Sequence, residues 1–335
     1  MKRFFTGLLL LILAVSLSSC FKEDEPIAPH LPGSAETDTI PMSYNYKFQV
    51  YFNLDSGIIV SQNLKTDSDL GFECSPSGWK IILNTADFMK AADLGVVPFG
   101  QAQDTAHVTW KFDKSDGNPD SLAFGTWYQV VNGDTVSNNH VYLIDRGFDE
   151  NANPLGLYQV IFDSLANRKY YFRFASIEGG NTFSGVVSKD ETVNYLYYTF
   201  STGGSVKRME PSKDNYDLLF TQYTTLLYTD IGEPYPYLVT GVLTNRNNVE
   251  VAIDTVHEFS TITLSQSLDL QFSKALDAIG YEWKSYDFET GAYTVNSNKT
   301  YIIRNNSGVS FKLRFVGFYS NTGEKGYPVI EHQPL

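Results

Sequence analysis

The side chains best suited to hold an ion or carry a reaction are few in this sequence. There are five histidines, His30, His107, His140, His257 and His332, four methionines, Met1, Met42, Met89 and Met209, and two cysteines, Cys20 and Cys74. A structural zinc site asks for Cys and His at short, repeated spacing, and these residues are scattered. No G-x-S-x-G elbow presents a serine for attack. No H-E-x-x-H and no P-loop occur. Asp145, Asp149, Glu150, Asn151 and Asn153 form an oxygen-rich stretch, but outside the register of a Ca²⁺ loop, so it reads as a solvated turn. Carboxylates are abundant, yet no spacing selects a glycosidase pair. The chain reads as one that binds rather than catalyses.

The elements that would position such residues read as strands. Hydrophobic residues make up 42% and charged residues 19%, which is not the composition of a disordered chain. Aromatics reach 15%, and strands favour them on a half-buried pleated face. Short apolar or alternating runs at 47–54, 107–112, 140–144, 157–162, 170–174, 195–200, 237–243, 300–303 and 310–318 are punctuated by Gly, Asn, Asp and Ser. The expected fold class is all-β, and 335 residues suit two domains. A weak amphipathic pattern predicts one helix over 85–94. The net charge of −13 excludes the basic footprint of a general nucleic-acid binder, and two cysteines exclude a disulfide scaffold.

Residues 1–19 carry the basic pair Lys2 and Arg3 and then an apolar run of signal-peptide length. Leu17-Ser18-Ser19-Cys20 looks like a bacterial lipobox, which implies cleavage before Cys20 and lipidation of that residue. The alternative is a plain secretory signal with an incidental cysteine. Cys74 is then the only unmodified thiol and reads as a small buried apolar residue. Phe21-Lys22-Glu23-Asp24-Glu25 resembles the surface-export signal of Bacteroidetes lipoproteins; a solvated charge run is the alternative. The segment 20–43, with Pro26, Pro29, Pro32 and Pro41, reads as a disordered tether. The expected location is the outer membrane, lipid-anchored and facing outward.

The remainder reads as two copies of one pattern. Phe52-Asn53-Leu54-Asp55-Ser56-Gly57 matches Tyr198-Thr199-Phe200-Ser201-Thr202-Gly203. Gly78-Trp79-Lys80-Ile81-Ile82-Leu83 matches Asn215-Tyr216-Asp217-Leu218-Leu219-Phe220. Trp127 matches Trp283, residues 140–144 match 299–303, and 158–162 match 311–315. The order is kept while the spacing drifts, as loop insertions would make it. The expectation is a tandem duplication with domains at 44–183 and 190–335.

In the second copy, Tyr198 to Gly203, Asn215 to Leu218, Gly280 to Trp283, Asn298 to Arg304, Phe311 to Phe318 and Gly326-Tyr327-Pro328-Val329 together resemble the HmuY family. The first copy resembles it more weakly. The resemblance implies twisted antiparallel β domains on a surface lipoprotein that binds heme, hemophore-like, for iron and heme acquisition. It also implies host heme proteins and an outer-membrane receptor as partners, and two side chains holding the iron. In that family one axial ligand lies between the Trp strand and the Tyr-Ile-Ile strand. Here that stretch offers Tyr286, and a phenolate binds ferric heme. The other ligand lies in the variable middle before the Trp strand, and His257 is the only His or Met in that region of the second copy; His107 is the parallel residue in the first. The bland readings are a strand-surface tyrosine and exposed or Glu-paired histidines. No metal beyond heme iron is expected. The alternative function is an HmuY-like binding or adhesion lipoprotein without heme, contacting glycan or protein through loop aromatics.

Overall fold

Alternating runs become strands because each lays one face on a core and the other in water. The structure, a computed structural model, describes residues 33–335. The signal peptide, Cys20 and most of the tether lie outside the described residues.

In chain order the first eleven strands are β1 (Glu36–Thr39), β2 (Phe48–Asn53), β3 (Ile58–Leu64), β4 (Leu70–Glu73), β5 (Ile81–Leu83), β6 (Lys90–Asp93), β7 (Tyr128–Val131), β8 (Asp134–Ser137), β9 (Val141–Asp145), β10 (Leu157–Ala166) and β11 (Lys169–Ser176). The next eleven are β12 (Thr182–Ser188), β13 (Tyr195–Thr199), β14 (Ser205–Lys207), β15 (Leu218–Tyr228), β16 (Pro234–Thr244), β17 (Glu250–Asp254), β18 (Lys284–Asp287), β19 (Ala292–Val295), β20 (Thr300–Arg304), β21 (Ser310–Tyr319) and β22 (Lys325–Pro334). The fold is all-β, as its composition predicts.

Two five-stranded antiparallel sheets run β1-β22-β21-β20-β17 and β12-β11-β10-β9-β6. Two four-stranded sheets run β3-β2-β15-β16 and β14-β13-β4-β5, and β7-β8 and β18-β19 are separate hairpins. Adding eleven to each strand number, counting on from β22 to β1, converts every sheet into its counterpart. The strands that open each half pair with the other half. Thus β1 lies on β22 and β2 on β15, while β12 lies on β11 and β13 on β4.

Each lobe closes over its own aromatic core. In the first, Phe72, Trp127, Phe162, Phe172, Tyr198 and Phe200 pack together. In the second, Phe52, Phe220, Trp283, Tyr301, Phe315 and Ile330 do so. The exchanged strands are pinned by a repeated carboxylate. Asp69 Oδ2 accepts the Phe200 amide at 2.6 Å, and Asp217 Oδ2 accepts the Leu54 amide at 2.7 Å. Asn84 and Asn245 sit beside them with the same role: each accepts on its Oδ1 the backbone amide two residues on, from Ala86 and Asn247, and donates its Nδ2 to two backbone carbonyls.

Four local expectations are corrected. The last part of the expected tether, 36–43, is ordered: Glu36–Thr39 form β1 on β22, and Ile40 and Met42 are buried in the second core because they dock on that sheet. Residues 85–94 do not form a helix. They make a 3-10 turn (Thr85–Asp87) and then β6, because Asn84 caps the turn from Ala86 and β6 has a ladder partner in β9. Residues 107–112 form no strand; a single bridge joins Lys111 to Ala91. Residues 81–83 lie on a sheet edge while 218–220 lie on an inner strand, so the counterpart of Asp217 is Asp69 rather than Lys80.

Candidate functional site

The longest hairpin builds the site. β15 and β16 pair in unbroken register from Leu218↔Thr244 to Tyr228↔Pro234. The inner half is buried in the second core, while the outer half, with Leu226, Tyr228, Tyr235 and Tyr237, reaches solvent. The tip turns at Thr229 to Glu233, closed by the Thr229 amide donating to the Glu233 carbonyl, by the Glu233 amide donating to Thr229 Oγ1, and by Gly232 at φ 81°.

A cleft lies on each side of this outer half, and Pro236 lines both. The first, about 650 Å³, is walled by Tyr44, Phe88, Phe148, Pro236, Tyr237 and Leu238. The second, about 660 Å³, is walled by Trp110, Phe112, Leu122, Leu226 and Tyr228 and carries Asp113, Asp116, Asp120 and Asp277. Both volumes suit a cofactor-sized ligand. The first cleft sets Asp149 and Glu150 against Lys65 and Lys325, whereas the second sets its four acids against only Lys111 and Lys114, so the second is the poorer host for an anionic ligand.

The wall of the first cleft is held by backbone that few residues tolerate. Ser43 and Tyr46 have φ of 74° and 57°. This tight bend presses on Gly326, where a Cβ would meet the Ser43 carbonyl oxygen at 2.2 Å, so only glycine lets the bend dock on β22. The Tyr46 ring stacks on Phe318, and its buried hydroxyl has no hydrogen-bond partner. Burial raises the Tyr46 phenol far above its ordinary range. Tyr44 and Tyr237 are 59% and 53% exposed, so their hydroxyls are free to meet a ligand.

The charge at the cleft is set by Lys65. It is 2% exposed and donates to the Ala86 carbonyl and to Gln222 Oε1, each at 3.1 Å. Its acidic neighbour Asp87, 3.7 Å away, is pushed up to about 8, first by burial and against the pull of Lys65. Burial thus favours the neutral form of Asp87, which weakens its claim on the Lys65 charge. Lys325 adds a second cation, 5.4 Å above the Tyr46 ring.

The residues singled out in the sequence lie elsewhere. His257 follows β17, and its Nδ1 is 2.8 Å from Asp254 Oδ2; its partner is thus Asp254, not Glu258. Tyr286, on β18, packs against Phe288 and Tyr293. His107 is an exposed loop residue at φ 66°. None of the three lines either cleft, and no hydrogen bond or ring contact joins them. Met89, Met209 and Cys74 are buried core, and burial pushes the Cys74 thiol up. His140 pairs with Asp93. Asp149 spends its oxygens on Asn151 and Asn153, closing its own turn. Sequence reasoning missed Tyr44, Tyr237 and Lys65. Tyr44 and Tyr237 shared one signal, aromatics beside Pro in Pro41 to Tyr46 and in Tyr235-Pro236-Tyr237, and Lys65 carried none.

A duplicated strand order, aromatic cores and two clefts against one hairpin define an all-β protein shaped to receive a ligand. The family model for the HmuY protein matches residues 45–332, and the chain belongs to the HmuY family. Among solved structures, apo PinO from Porphyromonas gingivitis is 8% identical, with a TM-score of 0.31, covering 90% of this chain and 98% of that one. The apo HmuY analog of Tannerella forsythia is 9% identical, with a TM-score of 0.25, covering 90% and 97%. No curated protein matches the sequence. Among the described residues no helix is long and apolar enough to cross a membrane.

Proposed function

We propose that this protein binds heme at the cell surface, hemophore-like, for iron and heme acquisition. In this reading it is anchored in the outer membrane through lipid on Cys20. It takes heme from host heme proteins and passes it to an outer-membrane receptor. Family membership makes heme the ligand to test. The observation that carries the reading is the first cleft, with flat aromatic walls, a suitable volume and two cations, Lys65 and Lys325, for the propionates. Heme would supply a ferric iron, and among the oxygen-bearing side chains of the cleft's lining the exposed phenols of Tyr44 and Tyr237 are the donors that suit it.

A titration of the full mature chain with hemin tests this. The expected result is a saturable, shifted Soret band that weakens at least tenfold in apparent affinity in Tyr44→Phe/Tyr237→Phe. A band that survives that change but vanishes in His257→Ala or Tyr286→Phe moves the ligands to the loop positions the family resemblance implies. No shifted band at all overturns the reading. One observation favours a second reading, a binding or adhesion lipoprotein without heme: Tyr228, Ile231, Tyr235 and Tyr237 stand exposed at one hairpin tip, an aromatic surface of the kind that contacts glycan or protein.

The same strand order in the two halves supports a tandem duplication in which each copy lends its opening strands to the other. On this reading the copies are β1–β11 and β12–β22, close to the 44–183 and 190–335 division of the sequence.

A further inference from the structure

We propose that Glu36, Asp38 and His332 form a binding site for a divalent transition-metal cation, separate from the heme cleft. Their ligating atoms all lie within 4.8 Å of one another. The placement follows from strand geometry. Glu36 and Asp38 are two apart on β1 and so share one face, and His332 on β22 stands directly opposite Glu36 in the register. The set combines one imidazole and two carboxylates, which suits a borderline cation such as Zn²⁺ with water completing the shell.

Packing does not demand these residues. In the first lobe the counterpart of His332 is Phe174, the counterpart of Glu36 is Phe183, and that of Asp38 is Gly185. There the two rings stack at 5.3 Å and close the core edge without a polar atom. The second lobe instead buries an imidazole that is 2% exposed and has an orphan Nδ1. Its Nε2 is aimed at Asp38 Oδ2, 2.9 Å away. A buried orphan nitrogen is a cost that a Phe would avoid.

The charge also lacks an answer. Among the described residues no Lys or Arg pairs with Glu36 or Asp38. The turn after β2 closes over the site. At Gly57, with φ 62°, a Cβ would come within 2.7 Å of Glu36 Oε2. A cation here would clamp β1, an edge strand held by four residue pairs, to β22.

The test uses the heme-free full chain, stripped with a chelator and titrated with ZnSO₄ by calorimetry, with thermal melts alongside. The expected result is one equivalent bound and a melting point that rises with Zn²⁺. Glu36→Gln, at an exposed position, and Asp38→Asn should each weaken binding at least tenfold. His332→Phe, which copies the first lobe, should abolish it while leaving the metal-free melting point unchanged or higher. Absence of saturable binding overturns the proposal. So does one-to-one binding that Glu36→Gln and His332→Phe leave intact, which would place the ion elsewhere, for instance at Asp254 and His257.

Discussion

The two lobes share a strand order but not the partners of their central carboxylates. Asp69 lies against Arg146, with Nε at 2.6 Å and Nη2 at 3.1 Å from its two oxygens. At the matching place in the second lobe, Asn305 stands where Arg146 would, and its Nδ2 has no partner. Asp217 is therefore buried without a counterion, and burial pushes it up to about 6. The same division runs through the Trp pair. Trp127 Nε1 donates to the Trp79 carbonyl at 2.8 Å, whereas Trp283 Nε1 is buried without a partner beneath a parallel Phe315 ring 4.0 Å away. Among the described residues the first lobe leaves one buried side-chain polar atom, Asp87 Oδ1, without a partner. The other leaves several unmet, and it is the lobe that carries the outer hairpin and the His332 cluster. Unmet polar groups cost stability, and natural proteins tolerate that cost chiefly where something else is gained.

The largest expected difference is between the two aspartates. Asp69→Asn leaves Arg146 buried with no counter-charge and should cost about 3–5 kcal/mol in denaturant unfolding. Asp217→Asn keeps an acceptor for the Leu54 amide and should change stability by less than about 1 kcal/mol at pH 4, where the folded carboxyl is protonated. Equal losses would break the comparison.

Next comes pH. Asp217 is raised above its unfolded value of 3.8, so the folded state favours its protonated form. That contribution is full below about pH 4 and is lost as pH rises through about 6. Asp113, also raised to about 6 by burial, acts in the same direction. Asp217→Asn should therefore remove about 2–3 kcal/mol of the decline in stability between pH 4 and pH 7. An unchanged pH profile in that variant would mean that Asp217 is ionised throughout.

The smallest effect concerns the indoles. Trp127→Phe loses a hydrogen bond as well as volume, while Trp283→Phe loses volume alone. The first should cost about 1 kcal/mol more than the second, read from paired unfolding curves.

Much of the strand content was legible, because runs such as Leu157 to Phe162 and Ser310 to Phe318 alternate or stay apolar over a strand's length. The twin Trp and Tyr-Ile-Ile positions were legible for the same reason: Trp127 and Trp283, like Tyr142 and Tyr301, fill equivalent core places. The exchange of opening strands was not legible. Nothing local in Phe48 to Asn53 says that its partner begins at Leu218, since that pairing is set by the global fold. The region 85–94 misled because a short turn followed by a buried Ala91-Ala92 strand imitates helical spacing. The first cleft was hidden for a similar reason. Its walls come from Tyr44, Phe88, Phe148, Tyr237 and Lys325, which only the tertiary fold brings together. Likewise Glu36 and Asp38 read as tether-side acids until β22 places His332 opposite them.

The most direct test of the account is a crystal of the hemin complex, with the iron located by anomalous scattering at its absorption edge. The account expects the iron between β16 and the Tyr44 bend, within bonding distance of the Tyr44 or Tyr237 hydroxyl. Iron beside His257 or Tyr286, or in the acid-lined cleft on the far side of the hairpin, would contradict it.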